Sequence, residues 1–264
     1  MDIPRLGLGT WEMGDDPARR GQEVAALRLG LDLGITLIDT AEMYGNGRAE
    51  TLVGEAIAGR RDEVFLVSKV LPSNASRDGV RRACERSLKR LATERIDLYL
   101  LHWPGAHPVA ETVAGFERLA TEGKIARWGV SNFDWADLAE LGDARCAANQ
   151  IYYNLSHRGA ERRVIPSCRA RGIVAQAYTP LDQGRLADSK GVRGIAARHG
   201  VAPTAVALAW VLREPGSAAV AKTSDPARVR GFAAALTLRL SAGDLAELDA
   251  AFPAPAVDGP LETI

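Results

Sequence analysis

Short apolar runs alternate with amphipathic stretches along nearly the whole chain. The runs are GLGTW (7–11), ITLID (35–39), VFLVSK (64–69), DLYLLH (97–102), IARWGVSN (125–132), ANQIY (148–152), IVAQAY (173–178) and SAAVAK (217–222). Each is strand-length, and several are apolar at successive positions, the pattern of a strand buried on both faces. Between them the apolar residues recur at helical spacing. Val24, Leu27 and Leu31 share a face before Gly34, and Leu52, Val53, Ala56 and Ile57 share another. Val80, Cys84, Ser87, Leu88 and Leu91 form a stripe that Ser76 can cap. Further helices are predicted over about 108–121 with a stop at Gly123, after Asp134, near 159–171, near 190–199 and over 203–213. Pro203 suits the first turn of the last of these. Asp225-Pro226 reads as a cap and a first helical residue, and Ser241 with Asp244 has capping-box spacing.

Eight strands alternating with helices imply a parallel sheet. Strand starts recur every 25–35 residues or so, with a longer step into the eighth, and no Pro/Gly/Ser-rich linker divides the chain. The best fit is one α/β domain over residues 1–264, a (β/α)8 TIM barrel, with a doubly wound open sheet as the alternative.

Composition narrows the function classes. The 264 residues carry 33 Lys plus Arg against 33 Asp plus Glu, so no net field draws the chain to nucleic acid or anionic lipid. Residues 1–11 lack a signal-peptide pattern, and no apolar run approaches the roughly 18 residues of a membrane span. Cys84, Cys146 and Cys168 are odd in number and widely spaced, with neither zinc nor disulfide spacing. The expectation is a cytoplasmic protein, with no metal, no nucleic-acid partner, no membrane contact and no feature demanding more than a monomer.

In such barrels the chemistry sits at the C-terminal ends of the strands. Strand two ends at Asp39, three at Lys69, four at His102 and five at Ser131-Asn132. Strand six carries Gln150, seven ends at Tyr178 and eight at Lys222. Polarity beginning at strand ends is unremarkable for one or two of these. It accounts poorly for Asp, Lys and His at three consecutive ends, each directly after an apolar run. A buried Asp39 needs a cation, which Lys69 on the neighbouring strand can supply. Tyr44, on the following loop, can bend over the mouth. A free phenol has a pKa of about 10; the expectation is that the nearby ammonium lowers it. His102 adds a group aimed at a substrate oxygen. Together these suit proton donation to an oxygen that becomes negative, as carbonyl reduction requires if hydride comes from elsewhere. Trp11, Met13 and Trp103 follow strand ends and are candidate walls of an apolar substrate pocket. His107, His157 and His199 read as ordinary surface or loop residues, and HRGAERR (157–163) as a solvated helix face.

No G-x-G-x-x-G follows a strand and opens a helix, which argues against a Rossmann mode of dinucleotide binding. AKTSDPARVR instead places Lys222, Thr223 and Arg228 around a helix N-terminus, where backbone N–H groups favour phosphate. Asp225 repels an anion there unless it turns into the cap.

With these motifs on the page, the chain resembles the aldo-keto reductase family over nearly its whole length, in particular short bacterial members of the diketogulonate-reductase type. GLGTW (7–11), DTAEMYGNG (39–47), SK (68–69), LHWP (101–104), GVSNF (129–133), NQIYYN (149–154), AYTPL (177–181) and KTSDPARV (222–229) carry the resemblance by their joint order. It implies a (β/α)8 barrel that reduces aldehydes and ketones with NADPH, NADH being the weaker cofactor. Tyr44 is then the proton donor, with Lys69 and Asp39 tuning it and His102 orienting the carbonyl. Ser131, Asn132 and Gln150 hold the carboxamide, Tyr178 stacks on the nicotinamide, and Lys222, Thr223 and Arg228 meet the 2′-phosphate. The chain departs from many members at Gly231-Phe232, where they have Glu-Asn. Its N-terminus leaves little for a plugging hairpin. The stretch after Phe252 is short, which implies an open pocket and loose substrate choice. Two other functions stay open: a slow-turnover cofactor-binding protein on the same barrel, and a lyase using Lys69 as a Schiff-base amine.

Overall fold

The computed structural model describes residues 2–264. Eight parallel strands close on themselves in sequence order: β1 (Leu6–Gly9), β2 (Leu37–Asp39), β3 (Phe65–Val70), β4 (Ile96–Leu101), β5 (Ile125–Ser131), β6 (Ala148–Tyr152), β7 (Val174–Tyr178) and β8 (Ser217–Lys222). β8 pairs with β1, with Gly9 opposite Lys222. The open sheet is excluded, and each strand lies within two residues of its apolar run.

The helices are α1 (Arg20–Asp32), α2 (Arg48–Ile57), α3 (Arg77–Leu91), α4 (Val109–Thr121), α5 (Trp135–Glu140), α6 (Val164–Ala170), α7 (Lys190–His199), α8 (Pro203–Val211), α9 (Pro226–Ala233) and α10 (Ala242–Ala251). The expected caps form. Ser76 Oγ accepts from Gly79 N, Asp134 caps α5, and Ser241 and Asp244 make a reciprocal capping box. The helix expected near 159–171 is shorter, because residues 159–161 form a separate single turn before α6.

Two cores result. The larger lies between strands and helices and holds the Val24, Leu52 and Val80 faces, with all three cysteines buried. The smaller fills the barrel with Leu37, Phe65, Val67, Leu98, Leu100, Ala148 and Val220. Ile3 packs against this inner cluster, doing part of what a plugging hairpin would do. β1 leaves room for Leu37 of this cluster: a Cβ on Gly7 would lie 2.2 Å from Leu37 Cδ2.

Side chains alternate along a strand, so inward residues share a parity. Going up the barrel in that phase, Leu37 leads to Asp39, Val67 to Lys69, Leu100 to His102, Ala148 to Gln150, Val174 to Gln176 and Val220 to Lys222. The barrel is apolar below and polar at its C-terminal rim. Backbone bonds carry the ladder past the strand ends: Thr40 N to Val67 O (2.9 Å), Glu42 N to Lys69 O (3.2 Å), His102 N to Val70 O (3.0 Å) and Asn132 N to Gln150 O (2.8 Å). The rim residues are thereby held almost as firmly as strand residues.

Candidate active site

Lys69 organises the mouth. Its Nζ is fully buried and donates to Asp39 Oδ1 (2.5 Å), Thr40 O (3.0 Å) and Tyr44 Oη (3.2 Å). A buried ammonium has three N–H bonds to satisfy, and here all three have partners. Burial works against this charge, but the Asp39 carboxylate and the Tyr44 phenol overcome it and hold Lys69 above its ordinary range. It is a cation at any working pH, which makes it a poor Schiff-base nucleophile.

Tyr44 reaches this position through a tight turn after β2, in which Gly45 and Asn46 adopt left-handed conformations. Its phenol corrects one expectation. Burial pushes it up, Lys69 pulls it down, Asp39 pushes it up again, and the net direction is upward. The ammonium offsets desolvation without overcoming it. The phenol therefore keeps its proton throughout the neutral range.

His102 lies beside Tyr44, with ring centroids 5.8 Å apart, and burial first, then Lys69, drives it down to about 2. It is a neutral imidazole, and its buried Nδ1 has no partner among the described residues. Trp11 meets Tyr44 edge-on at 5.0 Å, and Trp103 lies 4.9 Å from His102. Both indoles are exposed, so an aromatic row borders the phenol. Met13 does not join it. It is fully buried in the outer core, since the turn after Thr10 directs it beneath the rim. As a pocket wall it is withdrawn.

The strand-five to strand-seven side is a second polar group. Ser131 Oγ donates to Gln150 O (2.9 Å), Asn132 Nδ2 to His102 O (3.1 Å), and Tyr178 Oη to Asn132 Oδ1 (2.9 Å). Tyr152 backs the Tyr178 ring in a stacked pair at 5.7 Å, a support that sequence reading missed. Gln150 Nε2 donates to both Asp39 Oδ2 (2.8 Å) and Gln176 Oε1 (2.6 Å). Gln176 was also missed, although a lone polar residue in an alanine-rich strand, in phase with Tyr178, was a legible signal.

The loop after β8 forms the third group. Asp225 is turned into the cap, accepting from Ala227 N at 2.8 Å, so its charge is spent on the helix start. Arg228 is mostly exposed, with one long contact to Asp225 (3.8 Å), and Lys222 Nζ lies 3.4 Å from Glu12 Oε2. Thr223 Oγ1 accepts from Asp225 N (3.1 Å). Arg19 Nη2 donates to Ser224 Oγ (2.7 Å) and Gln22 Nε2 to Ser224 O (2.9 Å), tying this loop to α1. Phe232 is buried in the core, so Gly231-Phe232 offers no polar side chain.

The tail corrects one further expectation. His157 meets Glu262, while Arg162 and Arg163 reach Asp258 at 2.6 and 2.8 Å. Arg158 is buried, binding Asp249, Glu161 and the Phe252 carbonyl. HRGAERR is therefore a clamp for the last segment and not a solvated face. The His157 ring also lies against Tyr152 in a tilted pair (4.5 Å), which places the clamp beside the rim on the strand-six side. Trp11 and Trp103 border the mouth as exposed indoles. Among the described residues no helix is long and apolar enough to cross a membrane.

Comparison with known proteins agrees with this geometry. The model of the Aldo/keto reductase family matches residues 5–252. The chain is 49% identical to methylglyoxal reductase YeaE of Escherichia coli, over 97% of this chain and 93% of that protein. It is 31% identical to the NADH-specific methylglyoxal reductase of the same organism, over 92% and 93%. A crystal structure of an aldo/keto reductase from Klebsiella pneumoniae in complex with NADP and acetate superposes with a TM-score of 0.96 at 46% identity, covering 99% of this chain and 96% of that one. A closed eight-stranded barrel, a lysine-centred polar set at its mouth and these matches lead to one conclusion: the chain is an oxidoreductase belonging to the aldo/keto reductase family.

Proposed function

We propose that this protein reduces small aldehydes, ketones and dicarbonyls with NADPH, and that Tyr44 delivers the proton. The observation that carries the reading is the bonding of Lys69 Nζ, shared between Asp39 Oδ1 and Tyr44 Oη beside a neutral His102.

The chain's residues fit a nicotinamide dinucleotide. Lys222 and Arg228 are accessible cations with only weak carboxylate contacts, beside the start of α9. With Thr223 they would hold a 2′-phosphate. Tyr178 is backed on one side by Tyr152, and its other face would take a flat ring. Ser131, Asn132 and Gln150 would hold the carboxamide. Bound there, the dinucleotide supplies the hydride.

The residues then do the following. His102, neutral, can donate one hydrogen bond to a carbonyl oxygen without bringing a charge. Tyr44 would offer its hydroxyl to the same oxygen. A phenol pushed up by burial holds its proton until an alkoxide, a far stronger base than phenolate, develops next to it. Lys69 then stabilises the phenolate left behind, and Asp39 keeps Lys69 charged and in place. Trp11 and Trp103 offer apolar surface to the substrate's remainder. Exposed indoles beside the phenol suit loose choice among small carbonyl compounds. Both Escherichia coli relatives described above bear the name methylglyoxal reductase, which makes methylglyoxal the first substrate to assay.

The test is Tyr44→Phe. NADPH consumption with methylglyoxal should fall by at least about 100-fold, the low end for a positioned general acid. NADPH affinity, followed by fluorescence titration, should stay within about two-fold. A Tyr44→Phe protein that still reduces methylglyoxal at a comparable rate would overturn the assignment.

A further inference from the structure

The Asp39–Lys69–Tyr44 set does not end at Asp39. Oδ1 of that carboxylate receives Lys69 and Oδ2 receives the amide of Gln150, which crosses the barrel from β6 to β2. An amide nitrogen has two hydrogens. The second goes to Gln176 Oε1 at 2.6 Å, one strand further round. Asp39, Gln150 and Gln176 are all buried, Gln176 completely. With both N–H bonds committed inward, the carbonyl oxygen of Gln150 is the part of its side chain left for the mouth.

A buried glutamine on an inward strand position is costly unless its polar atoms are used. Gln176 is only half used, since its own Nε2 has no partner among the described residues. An apolar residue of this length would remove that orphaned donor and extend the apolar filling of the barrel. Retention of an amide here against its desolvation cost calls for a reason, and the one bond it makes supplies it.

We propose that Gln176 is a positioning residue for the cofactor: through its 2.6 Å bond it fixes the amide of Gln150, so that one face steadies Asp39 and the other receives the nicotinamide carboxamide. This deepens the reading of the site as a nicotinamide-dependent reductase and rests on it. Proton donor and cofactor seat are then parts of one buried line, Gln176–Gln150–Asp39–Lys69–Tyr44. The carboxamide donates its N–H to an acceptor whose orientation two bonds have already set, so binding carries little ordering cost.

The experiment compares two ligands on three variants, with NADPH and adenosine 2′,5′-bisphosphate titrated by fluorescence. The bisphosphate has the phosphate half of the cofactor and no nicotinamide. Gln176→Met keeps the length and loses the strong acceptor. It should weaken NADPH by roughly five-fold, the worth of one net hydrogen bond, and leave the bisphosphate unchanged. It should also lower kcat more than it raises KM for the aldehyde. Gln176→Glu keeps an acceptor oxygen whether ionised or protonated and should restore NADPH affinity. Equal loss for both ligands would mean a merely structural role and overturn the proposal, as would wild-type behaviour of Gln176→Met. Gln150→Ala separates the levels. If it weakens NADPH while Gln176→Met does not, the positioning role alone fails. If Gln150→Ala binds NADPH normally, the carboxamide seat is elsewhere and the proposal falls with it.

Discussion

Replacing Lys69 by Met tests the charge arrangement at the mouth directly. The change keeps the side-chain length and deletes the ammonium. Lys69 is fully buried, and the Asp39 side chain is only 4% exposed, so the carboxylate left behind has almost no water to turn to. Removing one partner of a buried ion pair costs about 3–5 kcal/mol. Asp39 retains one neutral donor, Gln150 Nε2 at 2.8 Å, which places the cost near the lower end, about 3 kcal/mol. At roughly 2–4 °C per kcal/mol for a domain of this size, the melting temperature should drop by about 6–12 °C. Asp39→Asn strands the opposite charge and should cost a similar amount. The double variant leaves no net charge in the cavity. Replacing both members of a buried pair is often close to neutral, so its destabilisation should fall short of the sum of the singles by at least about 2 kcal/mol. Urea denaturation followed by circular dichroism at pH 7.5 measures all three against the parent. If the two single costs simply add, Lys69 and Asp39 do not compensate each other, and the account of the mouth built on them fails. Lys69→Met also removes the one charge that opposes burial at Tyr44. Its hydride-transfer step, followed by stopped flow, should slow even where the protein stays folded.

His102 makes stability depend on acid in a definable window. Its folded value of about 2 lies below the usual 6.5, so below pH 6.5 the unfolded chain binds a proton that the folded one refuses, and stability falls as pH falls. At pH 5 the loss is about 2 kcal/mol at 1.36 kcal/mol per unit. His102→Asn should lose less than the parent between pH 7.5 and pH 5 in parallel melts, and identical losses would refute the buried neutral imidazole. Lys222→Ala combined with Arg228→Ala should weaken NADPH by at least ten-fold more than NADH, since charge-assisted bonds of about 1.5–3 kcal/mol each are removed from one cofactor only. Equal weakening in side-by-side titrations would place the 2′-phosphate elsewhere. Gly7→Val drives a side chain into Leu37 and should cost at least about 1–3 kcal/mol by overpacking; an unchanged melting temperature would mean that the inner cluster is looser than the geometry requires.

The strands and their polar ends were legible because both are local. A strand has a period of two, so the phase that puts Leu37 and Val67 inside also puts Asp39 and Lys69 inside. The distance from an apolar run to the rim is one or two residues in every case. Caps at Ser76, Asp134 and Ser241 were legible for the same reason, each bond spanning two or three residues. Reading failed where the outcome depended on contacts far apart in sequence. Met13 looked like a pocket wall because it follows a strand end, but the turn after Thr10 sends it into the outer core. HRGAERR looked solvated because its partners, Asp249, Asp258 and Glu262, lie about ninety to a hundred residues away. Gln176 was passed over because its one bond runs sideways to Gln150, which matters only once the barrel has closed.

The sequence alone determined the barrel, its direction and the chemical inventory of its rim, since hydrophobic periodicity and strand-end position are written residue by residue. It could name Asp39, Lys69, Tyr44 and His102 as neighbours. The tertiary structure decided what their nearness does. Whether an ammonium lowers a phenol depends on how much water both have lost, and here burial outweighs the ammonium, so Tyr44 holds its proton more firmly than a free phenol. Desolvation is a property of the closed barrel and the turn folded over it, and no run of residues encodes it locally.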